Sequence, residues 1–210
     1  MADWATISSL ATAGGTLVLA AATYSAVRSS NRSARIAERA IEVGMRPVIM
    51  SSRSQDPVEK VGWQDDHWAN VPGGGAYAAE ADGNIYLAAS VRNVGAGIAV
   101  IQGWFPYGEW LDSNQPHPAP DAFRRQAREL YIPPGDVGFW QGAIRHQDDP
   151  CWSAVLTAIK GNGRLTVDLL YSDHEGGQRA ISRFAMLPRE DWGWPCVITR
   201  VWNLDREDPR

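Results

Sequence analysis

The chain has 210 residues, 44% of them hydrophobic and 21% charged, with a net charge of −4. That balance fits a folded protein and gives no electrostatic case for binding nucleic acid. Two cysteines, Cys151 and Cys196, are too few for a disulfide framework.

Residues 4–27, WATISSLATAGGTLVLAAATYSAV, carry no charge. About 20 helical residues cross a hydrocarbon core of about 30 Å, so residues 1–27 are expected to be a transmembrane anchor. Its strongly apolar members are Ile7, Leu10, Leu17, Val18, Leu19 and Val27; the remainder is mostly Ala, Thr, Ser and Gly. A cleaved signal peptide would place positive charge before the apolar run, whereas here the arginines follow it. Basic residues stay on the cytoplasmic side. The expected placement is the inner (plasma) membrane, with the N-terminus outside and residues 28–210 in the cytoplasm, where both thiols stay reduced. Ser8, Thr12, Thr16 and Ala20 recur every fourth residue, a spacing that lets helices approach closely, by self-association or against a membrane partner.

Residues 28–45 read as a basic juxtamembrane helix. Arg28, Arg32, Arg35 and Arg39 fall on one face, positioned to meet anionic headgroups of the bilayer at about 1 kcal/mol each. The plainer reading of the same stripe is a solvated face. Gly44 and Pro47 end the helix.

From residue 46 the pattern changes to short β-type runs punctuated by Gly and Pro. Strands are expected at 47–52, 84–94, 98–107, 130–132, 137–144, 165–171, 179–187 and 194–203. Residues 54–83 read as irregular, with turns at Asp56-Pro57, Asp65-Asp66 and residues 72–75. Asp121 is placed to cap one short helix, through 128. A second, at 151–160, has Asp149 as its cap, Pro150 at its first position and Gly161 after it. Residues 173–177 (DHEGG) make a hairpin turn. The expected fold is mainly β: an antiparallel, immunoglobulin-like β-sandwich over 46–203 with two short helices in its loops, then a polar tail at 204–210.

Gly95-Ala96-Gly97 joins two of the clearest strands. So short a link is expected to be a hairpin or a bulged bend, with positive φ on Gly95 or Gly97 and the side chain of Asn93 capping the bend. Arg46-Pro47 followed by Asn93-x-Gly95-x-Gly97-x-Ala99 resembles a broad group of uncharacterised bacterial single-pass membrane proteins. Those carry an N-terminal transmembrane helix and a small β-sandwich domain. The resemblance implies the order of elements only, with no activity and no catalytic residues.

The chemistry-bearing clusters lie on turns. Asp65-Asp66-His67, Asp173-His174-Glu175 and Arg145-His146 with Asp148-Asp149 each join histidine to carboxylates. If two loops met, His67, Asp65, His174 and Asp173 would form a metal site and, with it, a metal-dependent or hydrolytic enzyme. None has the spacing of a recognised metal motif, and such residues favour turns for backbone reasons. Neither cysteine has an activating neighbour, and the Gly73–Gly75 run lacks the Lys-Ser/Thr of a phosphate loop. Of the ten tryptophans, Trp4 borders the apolar run. Trp104, Trp110, Trp192, Trp194 and Trp202 fit either a core or a stacking surface. The expectation that follows is an anchored cytoplasmic module binding a protein partner through an edge strand or loop end. No cofactor is implied.

Overall fold

The structure, a computed structural model, describes residues 4–128, 131–189 and 193–208, and the side chains of all of these except 4–12 and 42–43. The chain divides into two units, residues 1–44 and 45–210.

The first unit is a single helix, α1 (Trp4–Gly44), of 41 residues. The anchor and juxtamembrane segments are thus one continuous element. Between Val18 and Val43 there is no Gly or Pro to break it, and Ala, Arg and Glu are strong helix formers. Gly44 and Pro47 end it where the sequence indicates. Among the described residues, no helix is long and apolar enough to cross a membrane. The side chains at the start of the uncharged run, including Trp4, Ile7, Ser8 and Leu10, lie outside the described residues.

The second unit is mainly β. Its strands are β1 (Ile49–Ser51), β2 (Glu59–Gly62), β3 (Trp68–Val71), β4 (Gly75–Ala81), β5 (Asn84–Asn93), β6 (Ala99–Tyr107), β7 (Arg124–Arg125), β8 (Tyr131–Ile132), β9 (Val137–Ile144), β10 (Leu165–Ser172), β11 (Ala180–Met186) and β12 (Trp194–Asn203). Ten of these form one large antiparallel sheet, while β2 and β3 pair as a separate hairpin. In one wing β5 pairs with β1, β4 and β9. In the other, β6 pairs with β10, β7 and β8, and β10 with β11. The last strand joins the wings: β12 pairs with β11 from Cys196 to Asn203, then with β4 through Trp194 and Pro195.

Both wings feed one core. Ile85, Leu87 and Trp140 from the first pack with Ile101, Leu165 and Leu169 from the second. The helix α2 (Trp152–Lys160) adds Trp152, Val155 and Ala158, which recur every third residue and so share a face. The helix begins later than expected, with Cys151 at its N-cap position; Asp149 lies in the turn before it, its Oδ1 accepting from Cys151 N at 2.9 Å. The other expected helix is only a 3-10 turn, Pro120–Ala122. Phe123 is drawn into a second apolar cluster with Leu170, Ile181 and Trp202, and β7 follows at once.

Two expectations are corrected. Residues 54–83, expected to be irregular, contain the β2–β3 hairpin and β4. The link 95–97 is neither a hairpin nor a bulge: β5 and β6 share no ladder, and the link carries the chain from one wing to the other. Neither Gly95 nor Gly97 has positive φ. Their constraint is the strand entry lying against them. A Cβ on Gly95 would stand 2.3 Å from Arg46 O, and one on Gly97 1.7 Å from Met45 O.

Asn93 holds this crossing together. It is fully buried, and its Oδ1 accepts from Val48 N (3.2 Å) and Gly95 N (3.0 Å). Its Nδ2 donates to Gly97 O (2.7 Å) and Ile132 O (3.0 Å). That uses the full capacity of a primary amide. Beside it the Arg46 guanidinium, 8% exposed, makes a two-pronged pair with Asp205 (2.7 and 3.0 Å) and also donates to Arg179 O. The tail is therefore tied down as far as Asp205. Asp208 Oδ1 also accepts from Asn203 N.

Gly97→Ala should lower stability by about 1–3 kcal/mol, the usual cost of forcing extra atoms into a packed site. Asn93→Asp, which keeps both acceptor contacts and loses both donors, should unfold at lower denaturant than wild type, and Asn93→Leu lower still. Equal denaturation midpoints for wild type and Asn93→Leu would remove Asn93 from this role.

Candidate functional site

The most deeply buried charges lie on paired strands. Asp168 of β10 and Arg183 of β11 are register partners, both with fully buried side chains. Arg183 Nε and Nη2 donate to the two carboxylate oxygens at 2.7 and 2.8 Å. Its remaining donors reach Asp112 O, Gln115 O and Pro116 O, pinning the proline-rich loop to the sheet. The guanidinium lies 4.6 Å over Trp202, and Tyr107 Oη donates to Asp168. Burial pushes both the Asp168 carboxyl and the Tyr107 hydroxyl up. All five guanidinium donors are engaged, so no donor remains to bind a substrate. The pair builds the fold. Replacing Arg183 with Leu leaves Asp168 buried without its partner and should cost about 3–5 kcal/mol in chemical denaturation. A loss under 1 kcal/mol would show that this burial is illusory.

Of the three histidine-carboxylate clusters, the first and the third meet through the Asp65–Arg145 pair, and no metal-donor group results among the described residues. His67 stacks on Tyr86 (centroids 3.9 Å apart) and bonds through Nε2 to Tyr77 Oη at 2.9 Å. Asp65 accepts from Tyr86 Oη and pairs with Arg145, whose guanidinium holds the carboxyl down at about 2. Asp173 serves its own turn, with Oδ1 accepting from Gly177 N and Oδ2 from Gln178 N. His174 sits beside Glu175 on the same turn. Among the described residues, no group of three or more His, Cys, Asp or Glu side chains is placed to hold a metal ion. The four residues considered as a donor set have other contacts: His67 with Tyr77 and Tyr86, Asp65 with Tyr86 and Arg145, Asp173 with its own turn, and His174 with Glu175.

The cysteines are free thiols. Cys151 is half-buried, and Cys196 is buried with its thiol pushed up to about 12 by that burial. Trp104, Trp140, Trp152 and Trp202 are core residues. Trp110 and Trp68 are exposed, and Trp192 lies outside the described residues.

What the sequence did not reveal is an arginine-lined cavity of about 230 Å³ between β9 and β7. Gly142 of β9 lets the Trp104 ring lie against the strand; a Cβ there would stand 2.6 Å from it. Trp63, held by its Nε1 donating to Gly142 O at 3.0 Å, forms another part of the wall. Arg124, Arg125, Arg128 and Arg145 line the cavity. Arg145 is engaged by Asp65 and Arg124 by Asp149. Arg125 and Arg128 are exposed and have no acidic partner among the described residues. The side chain of Gln141 is also in the wall; it is 7% exposed, and its Oε1 has no hydrogen-bond partner. The site is net cationic, partly aromatic and has an unused acceptor. Among the described residues its lining holds no Ser, Cys or His.

No family model matches the chain, and neither does any curated protein or solved structure.

Asp65 is the titrating group at this site with the largest downward shift. Its folded pKa lies below the ordinary 3.8, so its contribution to stability is complete above pH 3.8 and is lost as pH falls toward about 2. Asp65→Asn should melt lower than wild type at pH 7, and the two curves should converge as pH falls through that window. Parallel curves would show that the Asp65–Arg145 pair contributes nothing measurable.

Proposed function

We propose that this chain is an interaction module whose β unit binds a protein partner and whose N-terminal helix holds it at a lipid bilayer. The observation that carries the reading is the exposure of Leu17, Val18 and Leu19, at 72%, 70% and 69%. Consecutive helical residues point about 100° apart, so these three face three directions. Apolar side chains exposed in three directions find an apolar surrounding in a bilayer. Thr23 and Ser25 turn their hydroxyls back to Leu19 O and Ala22 O at 2.8 Å, which satisfies polar groups within the helix. The uncharged run begins at residue 4, so the membrane-inserted length in this reading includes residues that precede the described side chains.

The arginines at 28, 32, 35 and 39 then lie at headgroup level, with the N-terminus outside and the β unit in the cytoplasm. We read the two wings around one core as the layers of an immunoglobulin-like sandwich, an architecture that leaves strand edges for partners.

Alkaline carbonate extraction tests the anchor. Full-length protein should remain with the membrane pellet, and Leu17→Lys combined with Leu19→Lys should move it to the supernatant, since each central lysine costs about 2.5–3.5 kcal/mol. Wild type in the supernatant would overturn the reading. Orientation is tested in a Cys151→Ser background. A cysteine at position 2 should react with an impermeant thiol reagent in intact cells, and one at position 207 should not.

A further inference from the structure

We infer that the arginine cavity is a binding site for a phosphomonoester dianion, carried on a free small molecule or on a lipid headgroup. This goes beyond the interaction reading above and stands without it.

Four arginines from two separate stretches of chain line the cavity: Arg124, Arg125 and Arg128 at and just after β7, and Arg145 just after β9. Among the described residues its lining holds no Asp or Glu. Like charges gathered this way repel one another unless opposite charge answers them. Two of the four are answered from outside the lining. Asp149 Oδ1 accepts from Arg124 Nη2 at 2.5 Å, and Asp65 Oδ2 accepts from Arg145 Nη1. Both acids are ionised at neutral pH. Arg145 holds the Asp65 carboxyl down at about 2, and against the upward push of burial Arg124 keeps the Asp149 carboxyl low. Arg125 and Arg128 have no acidic partner among the described residues. Four guanidinium groups less two carboxylates leave a net charge of +2.

The two partnered arginines are already placed. Arg124 lies 5.2 Å over the Trp104 ring and Arg145 6.0 Å over Tyr86, so each has less freedom to lose when an anion arrives. A guanidinium carries five donors, and one acid contact leaves others to share.

Charge and shape select the ligand. A phosphomonoester carries nearly two negative charges at pH 7, which answers the +2, and it offers three acceptor oxygens. Guanidinium forks bind phosphate oxygens two at a time. A single carboxylate brings half that charge and only two oxygens. At about 230 Å³ the cavity is smaller than the roughly 300–1,000 Å³ of sites that enclose a drug-sized ligand. It has room for the phosphate and a few attached atoms. Arg125, Arg128 and Arg145 are exposed, so the phosphate enters from solvent and the rest of its carrier stays outside. A free phosphate ester and a lipid headgroup therefore present the same chemistry here.

The test uses full-length protein in detergent micelles, read by calorimetric titration. Glycerol 3-phosphate should bind saturably at one site per chain, and succinate should bind at least about tenfold more weakly. Arg125→Gln with Arg128→Gln changes two exposed side chains and should weaken glycerol 3-phosphate by about tenfold or more. Arg53→Gln with Arg206→Gln removes the same charge from exposed residues that do not line the cavity, and should leave the affinity unchanged. In hydrogen exchange, residues 124–128 should gain protection on binding. Mixed micelles doped with phosphatidic acid separate the two sources. Tighter binding of those micelles than of glycerol 3-phosphate, lost in the Arg125/Arg128 variant, assigns a lipid headgroup. Binding of glycerol 3-phosphate without that gain assigns a free ester, and either result supports the shared chemistry.

The inference is overturned if neither phosphate carrier binds, if the Arg125/Arg128 variant binds as tightly as wild type, or if the Arg53/Arg206 variant loses as much. Succinate binding as tightly as glycerol 3-phosphate would also overturn it, by making the cavity a general dianion site. Failure of carbonate extraction alone would remove the membrane reading and leave the phosphate site standing.

Discussion

The β unit depends on one buried amide. Asn93 ends β5 at the point where the chain must leave one wing of the sheet for the other. There it bonds the strand entry at Val48, the crossing at Gly95 and Gly97, and the end of β8 at Ile132. Three segments far apart in sequence meet at one side chain. No other residue type offers two donors and two acceptors in so small a volume. The glycines follow from it: the amide draws the Arg46–Val48 backbone so close that no Cβ fits at either position. The short motif of Arg46-Pro47 with Asn93, Gly95 and Gly97 is thus a spatial unit, although about 45 residues separate its halves.

Much of the strand pattern was legible. The strands at 137–144 and 194–203 match the observed bounds, and those at 84–94, 98–107, 165–171 and 179–187 fall within a residue of them. Apolar runs bounded by Gly, Pro and Asp mark these strongly because both faces are buried, as in β10 and β11. Pairing was not legible. Adjacent strands joined by three residues are expected to be neighbours, and β5 and β6 are not, because the crossing is built by a distant side chain rather than by turn chemistry. Residues 54–83 were misread for a different reason. Asp82-Gly83 is the dipeptide of a tight hairpin turn, and both residues have the positive φ that such a turn needs. Its strand, GAYAAEA, is rich in alanine, which carries little β signal.

The site was less legible than the fold. Arg124 and Arg125 read as part of a helix that does not form, and Arg145 as one member of a turn cluster. Only the tertiary fold brings them around Gln141. One signal was available and unused. Asp168 and Arg183 are lone charges in otherwise apolar strands, LTVDLLYS and AISRFAM, and a lone charge in a buried strand needs an opposite partner. Their pairing follows from that requirement, and it fixes the register of β10 on β11. The histidine clusters drew attention because their residue types are chemically versatile, yet aspartate and histidine in turns are mainly satisfying local backbone and aromatic neighbours.

The clamp between Arg46 and Asp205 bears on how the protein is made. A ribosome releases Arg46 about 160 residues before Asp205. The strand joining the two wings, β12, follows every other strand among the described residues. Until then β11 and β4 each lack a neighbour, and Arg46 has no carboxylate to meet. Closure of the sheet therefore waits for β12, and its long-range contacts form together once that strand has been made. A nascent chain stalled short of residue 194 would expose one unpaired edge on each of β11 and β4, which makes it a natural substrate for chaperones and proteases.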